Sequence, residues 1–408
     1  MKILLSSFAC SPLWGSEPGV GWRWSLELAK KHRVTVLTHA YFQQHISDFA
    51  AANPECVLPE YRYIDMGFFG IHPHRLLNSR IYYTLWQFKA FLVARKLTGD
   101  HDVVHHLTWG TYRFPSFMGY LGKPFVKGPL GGGERAPFRL LPKTPRKAFL
   151  FEVVRSLLIQ ISRLDPLVWI SNCSADLVLC KTQESLGALP PPARKRAIVA
   201  AEIGASGAAA DACAKSYGAK RQFKLFFAGR LIGWKGAHLA ITALARLRDR
   251  GVDATLTLAG DGDMRPFLVV LAKRLGCEQH VTFLGAIPRQ TLLSMYREMD
   301  LFLFPSLHDS SGNVLLESMS VGLPVVCLDL GGPRYFVNDT CGRVVETGEQ
   351  SEDEVCNSLA STLQSLLNNP DLMTCLSEGA IRRCQELTWE KQVDSAYREI
   401  VKRLELVV

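Results

Sequence analysis

The strongest constraint on this chain is a cadence in its second half. β-rich runs at residues 223–227, 254–258, 281–283, 301–304 and 324–327 alternate with helical patterns at 236–250, 264–275, 290–297 and 314–321. Strands separated by helices cannot pair as tight hairpins, so they lie parallel, with each crossover helix covering a face of the sheet. The expected result is a doubly wound α/β domain. The first half repeats the pattern less regularly, with strands expected at 1–8, 33–38, 102–106, 124–127 and 177–181 and a helix over 19–32. Gly128-Pro129-Leu130-Gly131-Gly132-Gly133 reads as a loop, and 189–212, rich in Pro, Gly and Ala, as a linker. The expected organisation is therefore a first Rossmann-like domain over 1–190 and a linker with the start of the second domain over 191–222. The second Rossmann-like domain follows over 223–387, and then an amphipathic helix over 388–408 that packs on its own domain or crosses to the first.

Charge separates the halves. Residues 1–190 hold 22 Lys and Arg against 13 Asp and Glu, the remainder holds 25 of each, and the whole excess of +9 lies in the first half. A uniformly basic nucleic-acid binder would not divide this way, so no nucleic-acid partner is expected. An anionic acceptor or an acidic lipid surface fits the first half, as does a solvated basic face. Residues 74–96, with Arg75, Arg80, Arg95 and Lys96, and residues 146–161 mix cations with aromatic and aliphatic side chains at near-helical spacing. Such helices lie on a bilayer or pack on a core with their cations in solvent. The eleven cysteines form no C-x-x-C pair and several sit in apolar runs, which fits buried thiols in a reducing compartment. A cytoplasmic location follows, with the inner membrane face as a meeting place for a lipid-borne acceptor. Residues 1–10 also fit a short lipidated leader, but only Lys2 precedes the brief apolar core, and a buried first strand explains the same residues.

Two strand–loop–helix junctions carry candidate chemistry. Trp14-Gly15-Ser16-Glu17-Pro18-Gly19-Val20-Gly21 follows the first strand, where a doubly wound sheet binds ligands, and Gly15, Gly19 and Gly21 would let a backbone approach a phosphate. Their spacing is not the dinucleotide G-x-G-x-x-G, and Thr38-His39 stand where an acidic residue would close the second strand, which argues against a dehydrogenase. Gly229-Arg230-Leu231-Ile232-Gly233-Trp234-Lys235-Gly236 repeats the arrangement with two cations able to converge on a diphosphate. Further on, Asp309 falls in a small-residue loop and Glu317 in the next helix, within Leu315-Leu316-Glu317-Ser318-Met319. An unpaired carboxylate in that apolar setting is costly, so Glu317 requires a partner.

Together these segments resemble a retaining glycosyltransferase of family 4 with the GT-B fold, two Rossmann-like domains facing across a cleft. The matching residues are 229–236, Ala259-Gly260-Asp261-Gly262, Phe283-Leu284-Gly285, Pro305-Ser306, the pair Asp309 and Glu317, and Gly322-Leu323-Pro324-Val325-Val326. The family's Glu-x7-Glu is Asp-x7-Glu here. The resemblance implies that Gly229, Arg230 and Lys235 hold the donor diphosphate and Glu317 the ribose. Asp309 with Ser311, Gly312 and Asn313 would meet the sugar, and Gly285 and Ile287 the base. His105 or His106 would face the donor sugar from the first domain, and Glu134 would touch the acceptor.

Neither an Asp-x-Asp pair for a divalent metal nor an evident first-domain nucleophile occurs. The implied reaction is a retaining transfer from a nucleoside-diphosphate sugar to a hydroxyl acceptor, with no metal and no other cofactor, in surface polysaccharide or glycoconjugate assembly. A nucleotide-sugar epimerase or hydrolase and a non-catalytic sugar-nucleotide-binding protein are the alternatives.

Overall fold

The computed structural model describes residues 1–67, 79–141, 144–207, 213–218 and 222–406. Arg75 and the start of the 74–96 stretch lie outside the described residues, as does the end of the expected linker. The chain divides into two compact units. One comprises Met1–Gly133, Leu157–Ile203 and Trp389–Val408, the other Glu134–Ser156 and Gly204–Thr388. Residues 134–156, which precede the linker in sequence, thus pack with the second unit.

The first unit is built on a seven-stranded sheet: β1 Lys2–Ser7, β2 Arg33–His39, β3 Glu60–Ile64, β4 Val103–Thr108, β5 Phe125–Leu130, β6 Leu177–Cys180 and β7 Ala197–Val199. Its order is β3-β2-β1-β4-β5-β6-β7, and every pairing is parallel. Two expectations are corrected here. β5 runs through Gly128-Pro129-Leu130 because a register shift between Lys127 and Leu130 absorbs the proline that a regular ladder would reject. The expected linker contains the short helix Pro191–Arg194 and β7. Phe8 centres the core, meeting Tyr83 and Trp86 edge-on at ring separations of 5.1 and 5.0 Å. Fully buried rings of this size each stabilise the fold by about 2–3 kcal/mol. The last helix, Trp389–Leu404, packs against the first, Ser16–Ala29, and Lys31 pairs with Asp394 across them.

The second unit carries a six-stranded parallel sheet: β8 Phe223–Ala228, β9 Ala254–Ala259, β10 Val281–Gly285, β11 Leu301–Phe304, β12 Val325–Leu328 and β13 Gly342–Val345, in the order β10-β9-β8-β11-β12-β13. Its central strands are buried on both faces, which is why they read as continuous apolar runs. The helix Ala237–Asp249 is buried along nearly its whole length, against β9 and the helix Glu352–Leu367.

Candidate active site in the second unit

β8 and β11 are neighbours where the strand order of the second sheet reverses, and the loops leaving their C-terminal ends meet there. Gly236 closes the first loop at φ +73°, and a Cβ on it would stand 1.9 Å from the Pro305 carbonyl oxygen, so only glycine lets the loops touch. The Leu307 amide donates to the Trp234 carbonyl at 2.8 Å. Lys235 Nζ donates to Asp309 Oδ1 at 2.8 Å and Oδ2 at 2.6 Å, and the Ser306 hydroxyl donates to Oδ2 at 2.9 Å. The two charged side chains are only 17% and 19% exposed, so the pair is weakly screened.

The backbone of Asp309 is held from its other side. Gly332 N–H donates to its carbonyl at 2.6 Å, and Gly331, at φ +65°, sits where a Cβ would come within 2.2 Å of the same oxygen. Arg230 is exposed on the first loop, and its neighbour Leu231 donates to the Asp261 carbonyl at 2.9 Å, which ties the Gly-Arg-Leu segment to the Gly-Asp-Gly turn.

Glu317 has the partner that its setting demands: Arg289, whose Nη2 and Nε lie 3.0 and 3.1 Å from Oε1. Burial raises the Glu317 carboxyl above its ordinary value while Arg289 pulls it back. Ser311, Gly312 and Asn313 lie at the entry to the helix Asn313–Met319, half-buried to exposed. The Gly285 carbonyl accepts from Gly260 N–H at 2.8 Å, and Ile287 is half-buried just beyond.

The first-unit assignments are corrected. His105 and His106 are completely buried in β4. His105 donates through Nε2 to the Gly128 carbonyl at 2.7 Å, and its Nδ1 lies 2.9 Å from the Tyr397 hydroxyl of the last helix. His106 points to the opposite face, 3.2 Å from the Tyr83 hydroxyl. Desolvation lowers the His105 pKa to about 4 and holds His106 well below its usual range, so both are neutral core groups. Gly19 and Gly21 lie inside the helix Ser16–Ala29, not in a phosphate loop, and only Gly15 precedes it. A Cβ on Gly21 would stand 2.1 Å from the Ala9 carbonyl oxygen, so that glycine serves close packing of helix on loop. Glu134 is buried in the second unit, where its carbonyl accepts from Arg155.

Around the pair stand several groups that no local sequence motif marks. Trp234 stacks on His308 at 4.9 Å with a 21° tilt, and Phe151 stacks on Trp234 at 5.5 Å with a 15° tilt. His308 Nε2 lies 3.1 Å from Oε1 of the buried Glu152. Among the described residues no cluster of three or more His, Cys, Asp or Glu gathers to hold a metal ion.

Residues 213–383 match the family model described as glycosyl transferases group 1. The D-inositol 3-phosphate glycosyltransferase of Rhodococcus jostii (strain RHA1) is 33% identical over 182 residues, 43% of this chain and 39% of that protein. The alpha-D-kanosaminyltransferase of Streptomyces kanamyceticus is 32% identical over 165 residues, 40% of this chain and 41% of that protein. The match to these two relatives thus spans about two fifths of their length. Over whole chains, the lipopolysaccharide outer core galactosyltransferase WaaB superposes with a TM-score of 0.62 at 14% identity, covering 98% of this chain and 99% of that one. Anabaena Alr3699/HepE, solved with UDP and glucose, gives 0.56 at 18% identity with complete coverage, 100% of both chains. The fold is GT-B. Within a GT-B chain the two sheets described above are the two Rossmann-like domains, and the Lys235–Asp309 pair stands at the switch point of the second.

Proposed function

We propose that this chain is a retaining, family 4 glycosyltransferase that moves a sugar from a nucleoside-diphosphate sugar to a hydroxyl acceptor in surface polysaccharide or glycoconjugate assembly. The observation that carries the proposal is the Lys235–Asp309 pair at the second sheet's switch point, with Arg230 exposed on the same loop. The likeness of residues 213–383 to glycosyl transferases group 1 and the GT-B fold support it.

The ammonium of Lys235 has three donors, of which two go to Asp309, so a third is available to a phosphate oxygen. One cation thereby touches both the diphosphate and the carboxylate that meets the sugar. In the transfer, the bond from the anomeric carbon to the diphosphate oxygen breaks and the acceptor oxygen bonds the same face of that carbon. The acceptor's proton passes to the departing phosphate. Negative charge grows on the diphosphate as the bond breaks, and Lys235 and Arg230 stabilise it there, with no resident metal or cofactor in the scheme. Glu317, fixed by Arg289, accepts from the ribose hydroxyls. The retaining outcome and the acceptor class rest on the family resemblance.

The test is a thermal-shift panel of UDP-, GDP- and ADP-sugars, since a ligand of the native state raises its stability by mass action, followed by assay of nucleoside-diphosphate release with sugar and lipid acceptors. A panel with no shift for any of them would defeat the proposal.

A further inference from the structure

Residues 146–156, the first part of the helix Arg146–Ile161, pack with the second unit and meet both loops of the Lys235–Asp309 pair. Trp234 stacks near-parallel on both Phe151 and His308, and His308 in turn reaches Glu152. A carboxylate only accepts, so His308 Nε2 donates to Glu152 Oε1 across their 3.1 Å. Trp234 and His308 are the residues immediately before Lys235 and Asp309, so consecutive positions of one helix hold the neighbours of both. Ala148 adds to the contact, since a Cβ on Gly233 would lie 3.1 Å from its own Cβ.

Stability does not account for the carboxylate. Glu152 is 1% exposed and His308 6%. The second oxygen of Glu152, Oε2, is buried with no hydrogen-bond partner among the described residues. An acceptor left unpaired in the interior costs stability, and two apolar side chains of similar shape would fill the same space without that cost. The pair does something else. Stacking on Trp234 sets the plane of the His308 ring, and the bond to Glu152 sets the direction of its edge. With plane and edge both fixed, the backbone entering Asp309 has little freedom on that side. Gly332 N–H holds the Asp309 carbonyl from the other.

We propose that Glu152 is a positioning residue of the donor site. Through His308 and Trp234 it keeps the two loops at the spacing that lets Lys235 reach Asp309 and a donor phosphate together. The proposal rests on the donor site described under the proposed function. When the pair is removed, the loops stay folded, because the Leu307 amide still donates to the Trp234 carbonyl. Lys235 then samples a wider range of positions, and its hold on a diphosphate weakens.

The experiment is calorimetric titration with UDP, GDP and ADP, with melting temperatures, on the wild type, on Glu152→Gln and on Glu152→Leu with His308→Phe. The last pair of substitutions is also made in Lys235→Ala. The double variant is expected to melt no lower than wild type, since both buried polar partners leave together. It is expected to bind the tightest of the three nucleotides about tenfold more weakly. Glu152→Gln, which keeps an acceptor for His308, stays within about threefold of wild type. In Lys235→Ala the two substitutions change affinity by less than about twofold, because the side chain they position is already gone. A double variant that melts well below wild type assigns the pair to stability and overturns the proposal. So does a folded double variant with wild-type affinity, or a tenfold loss that recurs in Lys235→Ala. A wild type that binds none of the three nucleotides removes the donor site itself, and the positioning role with it.

Discussion

Lys235 lies across the carboxylate of Asp309, its Nζ within 2.8 Å of one oxygen and 2.6 Å of the other. Two residues assigned to different parts of a donor are thus one unit, and removing either member exposes what the other does alone. Lys235→Ala deletes a contact that strengthens as the diphosphate departs, and is expected to cost roughly 3–4 kcal/mol, about 10²–10³ in kcat. Asp309→Ala frees the ammonium, so affinity for the free nucleoside diphosphate is retained or raised, while the gain from the attached sugar disappears. Asp309→Glu is the mildest of the three. Calorimetric titration with diphosphate and then full donor separates these outcomes, and loss of diphosphate binding in Asp309→Ala equal to that in Lys235→Ala would contradict the assignment.

Glu317 and Arg289 form a pair with one half-buried member, 17% exposed, and one 73% exposed, so solvent screens it. A double-mutant cycle on stability is expected to give a coupling of about 1 kcal/mol or less. Glu317→Gln should weaken nucleoside diphosphates yet leave pyrophosphate binding unchanged, because the role proposed for the carboxylate is to meet the ribose. Equal losses for both ligands in a competition assay would move Glu317 out of that role.

The histidines of the first unit make it sensitive to acid. His105 and His39, buried, have their pKa values lowered from 6.5 to about 4 by desolvation. The unfolded chain binds their protons more readily than the folded one. Their contribution is therefore complete above pH 6.5 and lost as pH falls toward 4, at about 1.4 kcal/mol per pH unit for each group. Urea melts at pH 7.5, 6 and 5 should show this slope, and His105→Asn should flatten it while leaving kcat of the folded enzyme within a few-fold of wild type. A kcat collapse with unchanged stability would restore a catalytic role to His105.

Chelation is expected to leave turnover intact, since the charge stabilisation assigned to Arg230 and Lys235 asks nothing of a divalent ion. The check is diphosphate release in EDTA. Full loss, restored by magnesium or manganese, would show that the cation pair is insufficient.

How much was legible follows from where each residue sits in its sheet. Leu301–Phe304 is a central strand covered on both faces and announces itself as an unbroken apolar run. β3, β7 and β13 are sheet edges with half-exposed positions, and their short Glu60–Ile64, Ala197–Val199 and Gly342–Val345 sequences lack that signal. Lys235 and Asp309 each stand in a recognisable strand–loop–helix motif, and the structure brings the two side chains together. Glu152 stands in none, since its contact with His308 joins positions 156 residues apart and leaves no local pattern. His105 and His106 were misplaced for a general reason. Neighbouring side chains on a strand point to opposite faces, and in a sheet covered on both sides each face is interior. Only residues past the end of the strand reach open surface.

The first unit is assembled from three stretches of chain, and the last of them, Trp389–Val408, emerges only after the whole second unit has been made. Nascent chains ordinarily complete their N-terminal unit first. Here that order is inverted. On the ribosome, His105 waits for Tyr397, a partner 292 positions downstream, and the second unit can close while the first still shows the flank that the final helix will cover.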